Sequence, residues 1–180
     1  MTHHHHIAAY VGLGSNLGDR PAVLAAALQE LRAIPGVHGL VVSAYYETEP
    51  ELVLDQPVFL NAAAKLACDP SLGPQALLRA LLDIETRLGR TRDGVRYGPR
   101  VVDLDLLLFG ETVMQEADLI LPHPRLTERA FVLVPLRDIA PDLILPDGTS
   151  VRRALAALGA AARPERVRRF LPEQQEGEPS

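Results

Sequence analysis

The apolar positions of this chain fall into two rhythms. "IAAYVGLG" (7–14) is a short apolar run that ends in glycines, the pattern of a buried strand. Asp19 stands where it can cap a following helix, Pro21 suits that helix's first turn, and "PAVLAAALQELRAI" carries helical spacing until "PG" at 35–36 stops it. Apolar residues at 77, 78, 81, 82, 84 and 88 predict a second amphipathic helix over 73–89, closed by Gly89. Strands are predicted at 37–50, leaving into an acidic loop, at 57–69 with Asn61 as a polar intrusion, and at 101–109. The irregular stretch 121–148 holds a short helix near 129–139, and "SVRRALAALGAAA" (150–162) forms a last one. From Arg163 onward there is little to bury, which predicts a flexible tail.

These elements alternate irregularly, and some strands are separated by hairpin-length connections. That favours an α+β sandwich with an antiparallel or mixed sheet over a doubly wound parallel one. A single domain over 7–162 accounts for the pattern, and no internal repeat or linker interrupts it.

Composition narrows the classes. With 180 residues, 47% apolar and 23% charged, the chain can bury a core without staples. A net charge of −5 argues against nucleic acid or an anionic membrane as partner, so any affinity for phosphate must be local. The single Cys68 suits a reducing cytoplasm, and neither a membrane span nor a signal peptide is apparent. The opening "MTHHHH" holds four of the six histidines and reads as a tag, which leaves it outside the functional argument. All basic residues but Lys65 are arginine, so only clustering of arginines carries information.

The chemistry concentrates in "YGPRVVDLDLLLFG" (97–110). Strand alternation puts Val102, Leu104, Leu106 and Leu108 on one face and Val101, Asp103, Asp105, Leu107 and Phe109 on the other. Two carboxylates so placed have Cα atoms roughly 6.5–7 Å apart and repel each other unless a cation intervenes. Mg²⁺ fits hard oxygens of this kind and can grip a polyphosphate at the same time. The same spacing also fits solvated aspartates or aspartates paired with arginine. Arg90, Arg92, Arg96 and Arg100 precede the pair in a loop with glycines at 89, 94 and 98; together they provide what a nucleoside triphosphate needs, charge and closure. Arg87 is assigned instead to a helical pair with Asp83.

"GLGSNLG" (12–18) has the spacing of neither a dinucleotide fingerprint nor a Walker loop, and is taken as a strand-to-helix turn. His123, held between prolines and followed by Arg125 and Arg129, is structural or part of a phosphate wall. Asn61 needs partners for its amide, which neighbouring strands or a flat heterocycle can supply; Phe59 and Phe131 are either core or the two sides of a ring sandwich.

In "GSNLGDR", "YETEP", "DQPVFLNAA", "IETRLGRTRDGVRYGPRVVDLDLLLFG" and "LPHPRLTERAFVLVPLRDIAP" the chain resembles the 6-hydroxymethyl-7,8-dihydropterin pyrophosphokinases of folate biosynthesis, from about Ile7 to Gly148. The resemblance implies a ferredoxin-like α+β fold and transfer of pyrophosphate from ATP to the pterin hydroxymethyl group, releasing AMP. It implies two Mg²⁺ ions on Asp103 and Asp105, with Arg90 and Arg100 as catalytic clamps. ATP contacts follow at Glu85, Arg90, Arg92, Arg96, Arg100, Leu106, His123 and Arg129, and pterin contacts at Thr48, Glu49, Phe59, Asn61 and Phe131. The implied enzyme is cytoplasmic, acts on these two small molecules without nucleic acid or membrane, and is a monomer or weak dimer. Departures from the family pattern fall at "TEPELVLDQP", Tyr97, Asp118 and Pro124, none of them an implied metal ligand. Two rivals are a two-metal nuclease or nucleotidyl transferase, and a binding module without catalysis.

Overall fold

The computed structural model describes residues 5–50, 54–91, 98–159 and 166–171. In chain order the elements are β1 (Ile7–Ser15), α1 (Arg20–Arg32), β2 (Val37–Val42), β3 (Tyr46–Thr48), β4 (Phe59–Cys68), α2 (Pro74–Arg87), β5 (Asp103–Phe109), β6 (Met114–Gln115), β7 (Ile120–Leu121), α3 (Ala130–Ile139), α4 (Val151–Leu158) and β8 (Arg168–Arg169). The main sheet runs β5-β1-β4-β3-β8, with β2 also on β4, and every pairing in it is antiparallel. β6 and β7 form a separate small hairpin. Among the described residues no helix is long and apolar enough to cross a membrane.

The sheet is covered on both faces. Ala9, Val11 and Leu13 of β1, with the even-numbered positions 60 to 68 of β4, point to one side, where they join Leu24, Leu28, Leu31, Leu77, Leu81 and Ile84 of α1 and α2. On the other side Tyr10, Ala63 and Leu107 pack against Val132, Leu133 and Leu136 of α3 and Val151 and Ala154 of α4. This is the α+β sandwich expected from the sequence. As predicted, Asp19 caps α1, its carboxylate accepting from the Ala22 amide at 3.0 Å.

Four local differences have identifiable physical causes. Pairing of β1 with β5 slips between Tyr10 and Val11, which leaves Leu107 as an extra residue in β5. Such a bulge reverses the alternation beyond it: Leu108 packs with α3 and α4, and Phe109 with the α1–α2 core, the opposite of a regular strand. The segment 37–50 is two strands, because Ser43 breaks the ladder by accepting the Ala63 amide on its hydroxyl. Arg87 reaches across to Glu30 of α1 at 2.6 Å, making a tertiary pair where sequence spacing had suggested Asp83. Finally, residues 166–171 are no loose tail: Arg168 and Arg169 extend the sheet beside β3, and Phe170 packs against the α1–α2 core.

Candidate active site

A cleft of about 800 Å³, its open mouth included, lies on the α3 side of the sheet, lined by residues of β1, β3, β4, β5 and α3 together with adjoining loop residues. Its floor is β1. Gly12 and Gly14 point into the cleft without side chains, and a Cβ on Gly14 would sit 2.9 Å from Asn61 Oδ1. These glycines therefore belong to the strand itself; the turn that needs a left-handed residue comes later, at Gly18 with φ 67°.

One wall is polar and aromatic. Thr48 is 5% exposed, and its hydroxyl accepts from Asn61 Nδ2 at 2.7 Å. Asn61 Oδ1 faces Gly14. Phe59 and Phe131 both line the cleft, and each ring carries a guanidinium, Arg100 over Phe59 and Arg129 over Phe131, both at 5.5 Å. Cation–π contacts of this kind hold the arginines at the rim. Glu49 and Pro50 complete this side.

The opposite wall is acidic and basic at once. Asp103 and Asp105 precede the bulge, share the cleft face of β5 and are both partly buried. Burial first, then the charge of Asp103, pushes the Asp105 carboxyl up to about 7, against the pull of Arg129 and Arg100. The Asp105 charge is thus disfavoured mainly because the carboxyl is buried. Arg90 Nη1 donates to both Asp103 Oδ1 and Glu85 Oε1 at 2.5 Å. Burial works against the charge on Arg90, and Asp103 and Glu85 more than restore it. Arg100 Nη1 lies 3.4 Å from Asp103 Oδ2, and among the described residues its buried Nε has no hydrogen-bond partner.

Two buried residues organise this wall from behind. Glu85, 2% exposed, accepts the Leu104 amide at 2.7 Å as well as Arg90, tying α2 to the start of β5. Asn16, 2% exposed, accepts the Arg100 amide at 2.9 Å, while its side-chain amide donates to Gln56 Oε1 and the Pro57 carbonyl, each at 3.0 Å. His123, a predicted nucleotide contact, is not among the residues that line the cleft. Its backbone amide donates to the Leu107 carbonyl at 2.9 Å, and its Nδ1 accepts from the Arg125 amide at 3.1 Å. Burial, Arg129 and Arg125 hold its pKa below the ordinary 6.5, which favours the neutral ring.

Most of the predicted site residues are thus brought together. Thr48, Glu49, Phe59, Asn61, Arg100, Asp103, Asp105, Arg129 and Phe131 line one cleft, with Arg90 joined to it through Asp103 and Glu85 through Arg90. Leu106 is not among them: it is 3% exposed in the α1–α2 core, so only its backbone could touch a ligand. Arg92 and Arg96 lie outside the described residues. Sequence reasoning missed Gly12, Gly14, Asn16 and Gln56; the polar Asn16 directly after an apolar strand was the available signal.

Among the described residues no group of three or more His, Cys, Asp or Glu side chains could cage a metal. Two carboxylates on one strand face, Asp105 buried and Asp103 shared with arginines, suit instead a hard divalent ion that takes its other ligands from substrate phosphate and water, the habit of Mg²⁺.

An antiparallel α+β sandwich with paired carboxylates, a neighbouring arginine set and a polar-aromatic pocket defines an enzyme of the phosphoryl-transfer class. Residues 10–141 match the sequence profile described as 7,8-dihydro-6-hydroxymethylpterin-pyrophosphokinase, and the chain belongs to that family. A 2-amino-4-hydroxy-6-hydroxymethyldihydropteridine pyrophosphokinase of Methylorubrum extorquens is 50% identical over 150 residues, 83% of this chain and 92% of the relative. The protein of the same name from Bacillus subtilis is 47% identical over 131 residues, 73% of this chain and 77% of its own length. Among solved structures, an HPPK-DHPS in complex with substrates superposes with a TM-score of 0.67 at 13% identity, over 87% of this chain and 44% of that longer one. At that identity the likeness speaks to the fold.

Proposed function

We propose that the chain transfers the pyrophosphoryl group of ATP to the hydroxymethyl oxygen of 6-hydroxymethyl-7,8-dihydropterin, yielding AMP and the pterin diphosphate. The observation that carries this reading is the pairing, across one cleft, of Asp103 and Asp105 on β5 with the Asn61, Thr48, Phe59 and Phe131 wall. Asn61 and Thr48 offer donors and acceptors to the edge of a flat ring, and the two phenylalanines offer faces to stack on it. The glycine floor lets that ring lie close to the sheet.

Asp103 and Asp105 would hold two Mg²⁺ ions, which when bound supply charge neutralisation for the phosphates. The residues do the rest. Arg100, over Phe59 and beside Asp103, stands between ring and phosphate subsites and can follow charge onto the transferring group. Arg90 has carboxylate partners that it can exchange for phosphate oxygens, and Arg129 and neutral His123 flank the nucleotide side. In the transfer the hydroxymethyl oxygen bonds to the β-phosphorus, the bond from that phosphorus to the α,β-bridging oxygen breaks, and AMP leaves with that oxygen. The hydroxyl proton passes to solvent. No covalent enzyme intermediate is needed.

The test is AMP release from ATP and Mg²⁺, measured with and without the dihydropterin. Release that requires the pterin, and a fall of about 10²–10³ in kcat for Arg100→Ala with a much smaller change in ATP affinity, is the expected result. Pterin-independent AMP release, or ATP turnover on a polynucleotide end, would instead favour a different acceptor.

A further inference from the structure

Residues 166–171 lie against the β3 side of the cleft. Arg168 and Arg169 pair with Glu47 and Tyr46 of β3, and the Phe170 amide donates to the Tyr45 carbonyl at 2.8 Å. β3 is only three residues long and sits on one edge of β4. A strand that short is held weakly by one ladder, and a second ladder on its free edge restricts it further. Arg166 adds a side-chain tie: its Nη1 is 2.8 Å from Glu49 Oε2, immediately after Thr48 and on the cleft wall. Phe170 anchors the segment by packing on the α1–α2 core. The whole segment lies beyond residues 10–141, the part that defines the family.

We infer that residues 166–171 are a positioning element for the heterocyclic substrate, fixing the β3 wall from outside, with Arg166 acting through Glu49. This rests on the reading that the cleft takes a pterin, and deepens it. In the sheet β8 lies at the edge opposite β5, with β1, β4 and β3 between them, so the segment bears on recognition of the ring more than on the phosphate chemistry. Arg166 and Glu49 are 45% and 53% exposed, so the pair itself makes a small contribution, and the ladder makes the larger one.

The experiment compares the parent chain, Arg166→Ala, Arg166→Lys, Glu49→Ala, the Arg166→Ala/Glu49→Ala double variant, and a chain ending at residue 165. Steady-state kinetics are measured with ATP and the dihydropterin varied separately. Arg166→Ala is expected to raise KM for the dihydropterin about two- to fivefold, the size an exposed ion pair supports. Arg166→Lys should restore it, and Arg166→Ala should add nothing once Glu49 is alanine. Loss of the whole segment should raise the same KM by about tenfold or more, with kcat and KM for ATP within about twofold of the parent. A second readout needs no substrate: amide exchange at Tyr46–Thr48 should quicken in the shortened chain while β5 amides stay protected. Parent-like pterin KM in the shortened chain, or equal losses toward both substrates, would overturn the inference. Should the parent itself fail to use the pterin, the functional reading falls, and amide exchange alone decides whether the segment holds β3.

Discussion

Asn16 and Arg100 exchange two hydrogen bonds: the Asn16 amide donates to the Arg100 carbonyl at 3.2 Å, and the Arg100 amide donates to Asn16 Oδ1 at 2.9 Å. The remaining amide hydrogens of Asn16 go to Gln56 and Pro57, so one buried side chain joins the end of β1, the approach to β4 and the approach to β5. Arg100 is thereby positioned by its backbone, which leaves its guanidinium to the cleft.

Asn16→Ala should accordingly act on the chemistry at a distance. Displacing Arg100 by even an ångström predicts a kcat lower by about 10- to 100-fold. The stranded buried groups should cost about 1–3 kcal/mol of stability. Turnover kinetics with thermal melts check both, and an unchanged kcat in a folded variant would remove the positioning role.

Asp105 sets function against stability. Its charge is buried beside that of Asp103, so the metal-free protein holds it at a cost. Asp105→Asn removes the charge and keeps the shape. At pH 8 without divalent ions the variant should melt higher than the parent, by about 2–4 °C for each kcal/mol recovered. Turnover with Mg²⁺ should fall by about 10³-fold or more. A lower melting temperature would show that the carboxylate is compensated in the resting protein.

His123 gives a pH signature. Its folded pKa lies below the ordinary 6.5, through burial, Arg129 and Arg125, with Asp103 pulling weakly the other way. Below 6.5 the unfolded chain takes up a proton that the folded one refuses, so this contribution to stability is lost as the pH falls through that value. Protonating Nδ1 would also cost the bond from the Arg125 amide. His123→Gln should therefore lose less melting temperature than the parent between pH 7.5 and 5.5. Parallel acid limbs in the two proteins would sink the assignment.

The parts legible in the sequence are those governed by local rules. The Asp19 cap, the stripe of α2 and the paired acids of β5 depend on neighbours within a turn or a strand, and each is where spacing placed it. What could not be read needs a distant partner. Arg87 had a carboxylate four residues back, yet Glu30 of another helix takes it. The Leu107 bulge exists only as a mismatch between β5 and β1, and apolar residues on both sides of it conceal the change of phase. Arg166 and Phe170 look like parts of a tail until β3 and Glu49 stand beside them. In the cleft, the residues of each wall were found as separate clusters; that one floor joins them follows from β1 lying between β4 and β5.

Gly14 and Gly18, four positions apart, are constrained under different laws. At 14 the backbone is ordinary strand and the obstacle is the oxygen of Asn61, so even alanine should crowd that amide and tilt selectivity while folding proceeds. At 18 there is open space and the obstacle is a left-handed twist, which asparagine tolerates far better than valine. A library randomised at both codons should therefore yield two unlike lists of survivors, one sorted by bulk and the other by torsion.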